Sequence, residues 1–537
     1  MRRFLVLVLA VLGTACSDFD PMPIGCSNDL ECAEGEVCFA GGCGNPGENI
    51  VLEVRPNPQA GLHAQDFEVK SLSGQQNVEL SDPSALQGRV SQEQETDSRP
   101  SAYSGAVTFR VTGESLLIPG VERRYTSTLT PENGTYQFPV GMGRYTITMT
   151  PAMADLPPVL HEQVVESGQT VGLDFLLPSP AAVTRLSGKV VRQGQLPVEA
   201  DLEVQAFDSG LRPLSQRVPV QRSTGLFSLA LPPSAAKTNN VLIQVTPATA
   251  TSTPVLVPQK TFAVNPSQPL SLPLELGDYG VPVTVEGRLM DQAGLPIAEA
   301  SVYVQGKVEG NGFFRSQKSV TDAQGRFSLL SLPSTPDLPH TLYAVPPPKA
   351  RAGLTSRLVP VSYTGARLPD VLCPDRRIVR GSLLLPDSDA VAAGVKVQVE
   401  AVGDLPGWPR PTVSNDPVRL TDSQGRFELA LDPGQYRLDF IPLENLPRVS
   451  RLIVVHPSGS PTTPGEALEL PAFSLNKASR VSGVVTFGGE RFNGMAAGRA
   501  SIRFFRVVNV EGKPTSVLLA ESLTDDAGNY AATLPTR

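Results

Sequence analysis

Histidine and tryptophan are nearly missing from this 537-residue sequence, which holds four of the first and one of the second. A serine or cysteine nucleophile needs an adjacent base, most often histidine. Here His63, His161, His340 and His456 are scattered along the chain, which argues against hydrolysis. The short motifs of catalysis are missing as well: there is no G-x-S-x-G elbow, H-E-x-x-H helix, phosphate loop or dinucleotide fingerprint. Aromatic residues make up 6% of the chain, few for the exposed platforms on which sugars stack. Lys and Arg number 45 against 53 Asp and Glu, a net charge of -8 with no basic patch, which argues against a nucleic-acid partner. Past the N-terminus no segment carries eighteen consecutive apolar residues, so none reads as a membrane-spanning helix.

The first thing present is an address. Arg2 and Arg3 precede an apolar run from Phe4 to Leu12, and Gly13, Thr14 and Ala15 lead to Cys16. The run is too short to span a bilayer and reads as a cleaved export signal over residues 1–15. It resembles a bacterial lipoprotein signal, which implies that Cys16 is acylated and becomes the first residue of the mature chain. Gly13 stands where such signals usually carry Leu, so ordinary cleavage without acylation is the alternative. Several acyl chains anchor a protein stably, and Ser17 after the cysteine is compatible with onward sorting to the outer membrane. Residues 16–25 are then an anchor linker.

Four of the six cysteines follow within eighteen residues, Cys26, Cys32, Cys38 and Cys43. In an exported chain they read as two disulfides, for which three pairings exist. A zinc site is the alternative, disfavoured because the spacing has no C-x2-C arms and no histidine lies near. The run resembles short cysteine-rich modules behind the anchor in lipoproteins of predatory and social proteobacteria. Cys373 stands alone in an apolar stretch and reads as a buried small hydrophobe.

The rest of the chain repeats itself five times. A glycine opens each unit at Gly88, Gly188, Gly287, Gly381 and Gly483, separated by 100, 99, 94 and 102 residues. Between 37 and 46 residues later a second glycine precedes an aromatic: Gly134 and Tyr136, Gly225 and Phe227, Gly325 and Phe327, Gly425 and Phe427, Gly528 and Tyr530. A period of about one hundred residues is the size of an autonomous domain. The 51 prolines and 47 glycines punctuate short apolar runs, the habit of all-β proteins. In the fourth unit Val395, Val397 and Val399 alternate with polar residues, as on a half-buried strand. Leu420, Thr421, Asp422, Gly425 and Phe427 mark a tight turn between two strands. Pro433 and Gly434 open another alternating strand through Tyr436, Leu438 and Phe440 to Pro442.

This scheme, V-x-G-x-V, then A-x-V-x-V, T-D-x-x-G-x-F-x-L and L-P-x-G-x-Y-x-L-x-x-x-P, resembles the carboxypeptidase regulatory-like domain. The third and fourth units carry most of it, and the fifth carries Thr524, Asp525, Gly528 and Tyr530. The resemblance implies a seven-stranded prealbumin-like sandwich serving as accessory or spacer. The expected fold is therefore all-β, a tandem array of seven-stranded Ig-like or prealbumin-like β-sandwich domains behind a disulfide-rich module at 26–43. The expected domains are 50–178, 179–278, 279–374, 375–474 and 475–537. The apolar segments between beads, such as Val164 to Pro178 and Phe262 to Leu274, are too regular for flexible linkers. Five beads of about 34 Å would form a semi-rigid rod of roughly 170 Å. The fifth unit stops at Arg537 just where units one and four continue with a closing strand. Either something else completes it or the chain is cut short.

Asp322, Asp422 and Asp525 in the T-D-x-x-G turns are candidate calcium ligands. One carboxylate per turn is too few, however, and the second unit places Gln221 there, which favours a structural turn. Trp408, between Gly407 and Pro409 in a loop insertion, is the candidate contact residue for a glycan. The expectation is a non-catalytic envelope lipoprotein, a stalk or adhesion scaffold, with no cofactor and no metal. Its partners would be the membrane through the anchor, and envelope proteins or polysaccharide. A glycan-binding module is the second reading and a hydrolase the third.

Overall fold

A computed structural model describes residues 26, 32–33, 36–39, 42–44 and 49–536, apart from 70–74, 96–98, 194–197, 199, 239, 249–255, 268–272, 311, 360–366, 415–417, 444, 458–466, 489–493 and 511–512. The export signal and Cys16 lie outside the described residues. Among those described, the regular elements are strands, joined by short 3-10 turns such as Pro58–Ala60 and Pro233–Lys237. No helix among them is long and apolar enough to cross a membrane.

The fourth domain shows how sequence becomes sandwich. The strand Lys396–Gly403 lies between Arg419–Leu420 and Gly434–Ile441, with Val449–Val455 on the outside. The opposite sheet centres on Arg377–Leu384, antiparallel to Arg426–Leu431 and parallel to Leu468–Glu469 and Phe473–Ser474. Period-two alternation turns Val395, Val397 and Val399 inward, where they meet Phe427, Tyr436, Leu438 and Phe440 in one core. Burying each such side chain contributes about 1.5–3 kcal/mol. The segments between beads complete the sandwiches: Thr170–Gly172 and Phe175–Leu177 pair parallel with the first domain's opening strand, and Leu274–Glu275 does so in the second.

The two marks of the repeat are partners in space. The opening glycine faces the later aromatic across the sheet in every domain: Gly88 and Tyr136, Gly188 and Phe227, Gly287 and Phe327, Gly381 and Phe427, Gly483 and Tyr530. In the third and fourth domains the ring lies over the place where a side chain would stand. A Cβ on Gly287 or Gly381 would come within 2.5 or 2.6 Å of the facing phenyl ring. Cross-strand pairs of this kind hold register, which is why both residues recur together.

The fifth domain departs from the expected boundaries. Its four-stranded sheet runs Lys513–Leu523, Ser501–Val510, Ile50–Arg55, Gln65–Val69, and its other sheet runs Asn529–Thr536, Lys477–Phe487, Val78–Leu80. The order matches the fourth domain strand for strand, but the last three strands come from the start of the chain. The strands Ile50–Arg55, Gln65–Val69 and Val78–Leu80 therefore belong to the fifth sandwich, not to the first, whose own opening strand begins at Ala85. Ile50, Leu52, Val54, Leu62, Val78 and Leu80 join Val481, Val485, Ile502 and Phe504 in a single core. Without them the strand Ser501–Val510 would lose one hydrogen-bonding neighbour and Phe504 its cover.

This pairing closes the array on itself, in place of the expected rod. Each domain is joined covalently to the next, and the fifth is completed by the segment that leads into the first. The junctions are built. The Gln216 side-chain amide donates to the carbonyls of Pro151, Met153 and Leu156 at 2.8–2.9 Å between domains one and two. Tyr279 packs against the cores of both two and three, and Arg192 pairs with Asp278 at 3.4 Å. Between three and four, buried Asp432 accepts from the Leu354 amide at 2.9 Å and pairs with its neighbour Arg376 at 3.1 Å. Lys477 pairs with Asp387, and Leu452 packs on the fifth core, between four and five.

Candidate functional site

The most elaborate constellation of side chains lies where the fifth domain meets the first. The edge strand Gln65–Val69 carries Asp66 into the junction, and the first domain's strand Glu122–Leu129 presents Arg123 to it. The Arg123 guanidinium grips both oxygens of the Asp66 carboxylate at 2.7 and 2.8 Å and donates to the Ala64 carbonyl at 2.8 Å. The Ser115 hydroxyl donates to Asp66 at 2.5 Å. Glu53 lies 3.5 Å from Arg123 and also receives Arg503 at 3.1 Å. Asp66, Glu53 and Arg123 side chains are at most 4% exposed. Burial holds the Asp66 carboxyl above its ordinary value against the pull of Arg123 and Ser115. An apolar patch of Val51, Ile118 and Phe505 adjoins the charges.

The seam itself is sealed by backbone. Six residues, Ile50 to Arg55, pair antiparallel with Arg506 to Ser501, and Val78 to Leu80 pair parallel with Val485 to Phe487. Gln76 donates to the Ser482 carbonyl at 2.8 Å, and the Tyr530 hydroxyl returns a bond to the Gln76 carbonyl at 2.7 Å. A Cβ on Gly483 would lie 2.0 Å from that carbonyl, so only glycine admits the Gln76 backbone this close.

The cysteine module sits over the same region. Cys26 is bonded to Cys38 and Cys32 to Cys43, one of the three pairings open to the sequence. Cys26, Cys32 and Cys43 have sulfurs within 4.8 Å of one another, but each is committed to a disulfide. The short hairpin Val37–Phe39 and Gly42–Gly44 touches the fourth and fifth domains. Arg451 donates to the Cys38 carbonyl, and a Cβ on Gly44 would meet the Arg506 guanidinium at 2.6 Å.

No protein-family model matches the chain and no curated protein matches it, so the likeness to carboxypeptidase regulatory-like domains stands on its motif alone. Among solved structures it is similar to a streptococcal ancillary pilin, at 13% identity and a TM-score of 0.22 over 55% of this chain and 99% of that one. It is also similar to GBS52, the minor pilin of Streptococcus agalactiae, at 14% identity and a TM-score of 0.21 over 36% and 96%. A third is the major pilin subunit BcpA* of Bacillus cereus, at 13% identity and a TM-score of 0.15 over 74% and 100%. At TM-scores this low, these likenesses carry no argument about what the chain does.

Trp408 stands at a second junction. Its turn closes with the Trp408 amide on the Leu405 carbonyl at 2.9 Å, and the Tyr343 hydroxyl of domain three donates to the Gly407 carbonyl at 3.1 Å. The half-buried indole lines a cleft of about 260 Å³ between domains three and four, beside Leu354, Pro374, Pro433 and His456, with Arg376 and Asp432 also on its wall. Arg376 donates to Asp432 and to the carbonyls of Pro347, Pro348 and Ala350. The tryptophan is therefore part of the joint as well as of a cleft.

The turn aspartates hold their own backbone. Asp322 accepts from the amides of Gln324 and Arg326 at 2.9 and 2.8 Å, Asp422 from Gln424 and Arg426 at 2.9 and 2.8 Å, and Asp525 from Ala527 and Asn529 at 2.9 and 2.8 Å. The neighbouring Thr321, Thr421 and Thr524 hydroxyls each tie two buried backbone groups. In the second domain Gln221 closes the turn through its carbonyl to Gly225 at 2.7 Å without an acid. Backbone amides lower the Asp322 and Asp422 carboxyls below 3.8, and the Asn529 side chain leads the same effect on Asp525. A lowered folded-state value means stability is full above the unfolded value and is lost as pH falls through the folded one. Amide shifts of Gln324, Gln424 and Ala527 are thus expected to titrate below pH 3.8, while Gly225 stays flat over that range.

The four histidines stand in four places. His63 leans on Tyr125 at 4.7 Å and reaches the Pro139 carbonyl at 3.2 Å. His161 meets Phe175 edge-on. Buried His340 bridges the Leu332 and Lys307 carbonyls at 2.9 and 3.1 Å. His456 lines the Trp408 cleft. Cys373 is fully buried in the third domain's core, and burial, then Asp432 and Asp291, push its thiol up to about 12. The thiolate is the reactive form, so Cys373 is expected to resist iodoacetamide at pH 8 until the protein is unfolded. Peptide mass spectrometry with and without denaturant measures this, and prompt native labelling would contradict the burial.

Proposed function

We propose that the chain is a non-catalytic scaffold of the bacterial cell envelope, tethered by acylated Cys16 and holding five sandwiches in a closed array. The observation that carries this reading is the fifth domain built from both ends of the chain. A mobile stalk has no need of such a closure, whereas a rigid platform at fixed distance from an anchor does. The charged groups at the junctions support it: Arg123, Asp66, Arg376 and Asp432 are engaged in joining domains. Its partners in this reading are envelope or surface proteins. Small-angle scattering on the mature chain tests the shape. Five beads of about 34 Å in a ring span about 90 Å, against roughly 170 Å for a rod; a maximum dimension near the larger value would overturn the closed scaffold. Mass spectrometry of the mature N-terminus tests the anchor, and an unmodified amine there would remove it.

A second reading, glycan binding, is favoured only by the Trp408 cleft, where an indole and three prolines offer apolar faces beside Ser356 and His456. It predicts retention on envelope polysaccharide that falls at least tenfold in Trp408→Ala. Equal retention of the two proteins would discard it.

A further inference from the structure

The closed array has one seam that is not covalent. Domains one to four and the C-terminal part of the fifth follow one another along the chain. Among the described residues the circle is completed where Ile50–Arg55 meets Ser501–Val510 and Val78–Leu80 meets Lys477–Phe487, with Ile118 of the first domain against Phe505 of the fifth and the cysteine module seated on Arg451 and Arg506. We propose that the strands Ile50–Arg55, Gln65–Val69 and Val78–Leu80 are an exchangeable donor, so that the strands which complete the fifth domain of their own chain also complete the fifth domain of a second copy.

The division of contacts carries this inference. The donor is organised by the first domain through bonds that never cross the seam. Asp66 is gripped by Arg123 and Ser115, and its amide donates to the Met142 sulfur at 3.3 Å. Gln65 brackets the exit of the segment, donating to the Ser81 carbonyl at 2.8 Å and accepting from the Ser81 amide at 3.0 Å. Ser84 and Ser167 fasten the same corner through the Glu166 carbonyl and Gln65. All of these residues lie between 65 and 167, so they travel together whichever fifth domain the donor enters. The acceptor is held by the fourth domain in the same way, through Lys477 with Asp387 and Leu452 against its core.

Opening the circle therefore parts the donor, which the first domain holds, from an acceptor that stays attached to the fourth and is completed again when a donor enters it. It exposes the Leu52 and Leu80 face on one side and the Val485, Ile502 and Phe504 face on the other. Closure within one chain requires four inter-domain angles to bring the ends together; closure between chains requires none of them. The second copy meets the same register, because the partner strands are identical. Exchange of a segment between identical chains is a low-cost route to assembly, and a donor-to-acceptor contact is head-to-tail: it yields a ring of copies or an open filament. Main-chain pairing supplies the affinity and the buried alternate side chains the register, as in strand addition generally. The inference concerns the purified chain and stands apart from the envelope reading.

Two experiments test it. Glu79 and Thr486 are register partners with outward side chains, so the E79C/T486C chain can be oxidised across the seam with its core intact. Concentrated, warmed to loosen the fifth domain and cooled, it should yield interchain-linked multimers on a non-reducing gel, rising several-fold over a tenfold range of concentration. A link that stays within single chains at every concentration overturns the proposal. In the second experiment a donor-disabled chain, L52D/L80D, is mixed with an acceptor-disabled chain, V481D/V485D. Light scattering should find a species of twice the monomer mass that neither chain forms alone. A mixture that stays monomeric likewise overturns exchange.

Discussion

The change Leu52→Asp is expected to unfold the fifth domain and open the array while leaving the first four domains folded. Leu52 sits between Phe504 and Phe67 in the register of the seam and is 1% exposed. Truncation of such a side chain costs about 2–5 kcal/mol, and a carboxylate in its place adds the penalty of an unpaired buried charge. The sum is comparable with the whole stability of a hundred-residue domain, about 5–15 kcal/mol. The effect falls at the opposite end of the chain from the mutation. Hydrogen exchange should lose protection at Ile502 to Val508, some 450 residues away, and keep it in Val397 to Val399. Scattering should show the maximum dimension rise from about 90 Å towards the rod value. Loss of protection confined to residues 50–178 would mean that the segment belongs to the first domain after all.

The second large effect is expected from Arg123→Ala. It leaves Asp66 and Glu53 buried without the guanidinium that both face. Removing one member of a buried pair costs about 3–5 kcal/mol, because the remaining charge is uncompensated. Arg503 still reaches Glu53 at 3.1 Å, so the exposed vulnerability is Asp66. Its carboxyl is already raised by burial, and loss of Arg123 raises it further. A carboxyl whose folded value lies above its unfolded value favours the folded state at low pH and loses that advantage as pH rises through the folded value. The defect of Arg123→Ala should therefore be largest at neutral pH and shrink below about pH 4. Urea titrations of both proteins at pH 7 and pH 4 measure the difference, and a pH-independent loss would assign Arg123 to packing alone.

Much of each bead was legible. The alternation at Val395, Val397 and Val399 is a local property, and it places those side chains inward whatever surrounds them. The recurring glycine and aromatic were legible as landmarks, but not as partners, since only the sheet brings Gly381 opposite Phe427. The turn at Asp422 was legible for the same local reason, and its bonds answer the calcium alternative. The loop position of Trp408 follows from Pro406, Gly407 and Pro409 beside it, whereas the joint with Tyr343 and the cleft depend on how two domains meet.

The closure has a signal in the sequence. Leu52, Glu53, Val54, Arg55 and Pro56 follow the pattern of Leu438, Asp439, Phe440, Ile441 and Pro442, the closing strand that the fifth unit lacks. Position along the chain assigns the segment to the nearest unit, because proximity in sequence is the usual guide to pairing. The strands Ile50–Arg55 and Ser501–Val510 are parts of one domain.

The sequence by itself determined the all-β class, the hundred-residue period, the strand faces and the turns, because each follows from the chemistry of residues within a few positions of one another. The tertiary structure alone decided which strand completes which sandwich, that the array closes, and that Arg123, Asp66, Arg376 and Asp432 are buried. Those outcomes depend on surfaces hundreds of residues apart fitting together, and a free sheet edge carries no mark of the strand that will cover it.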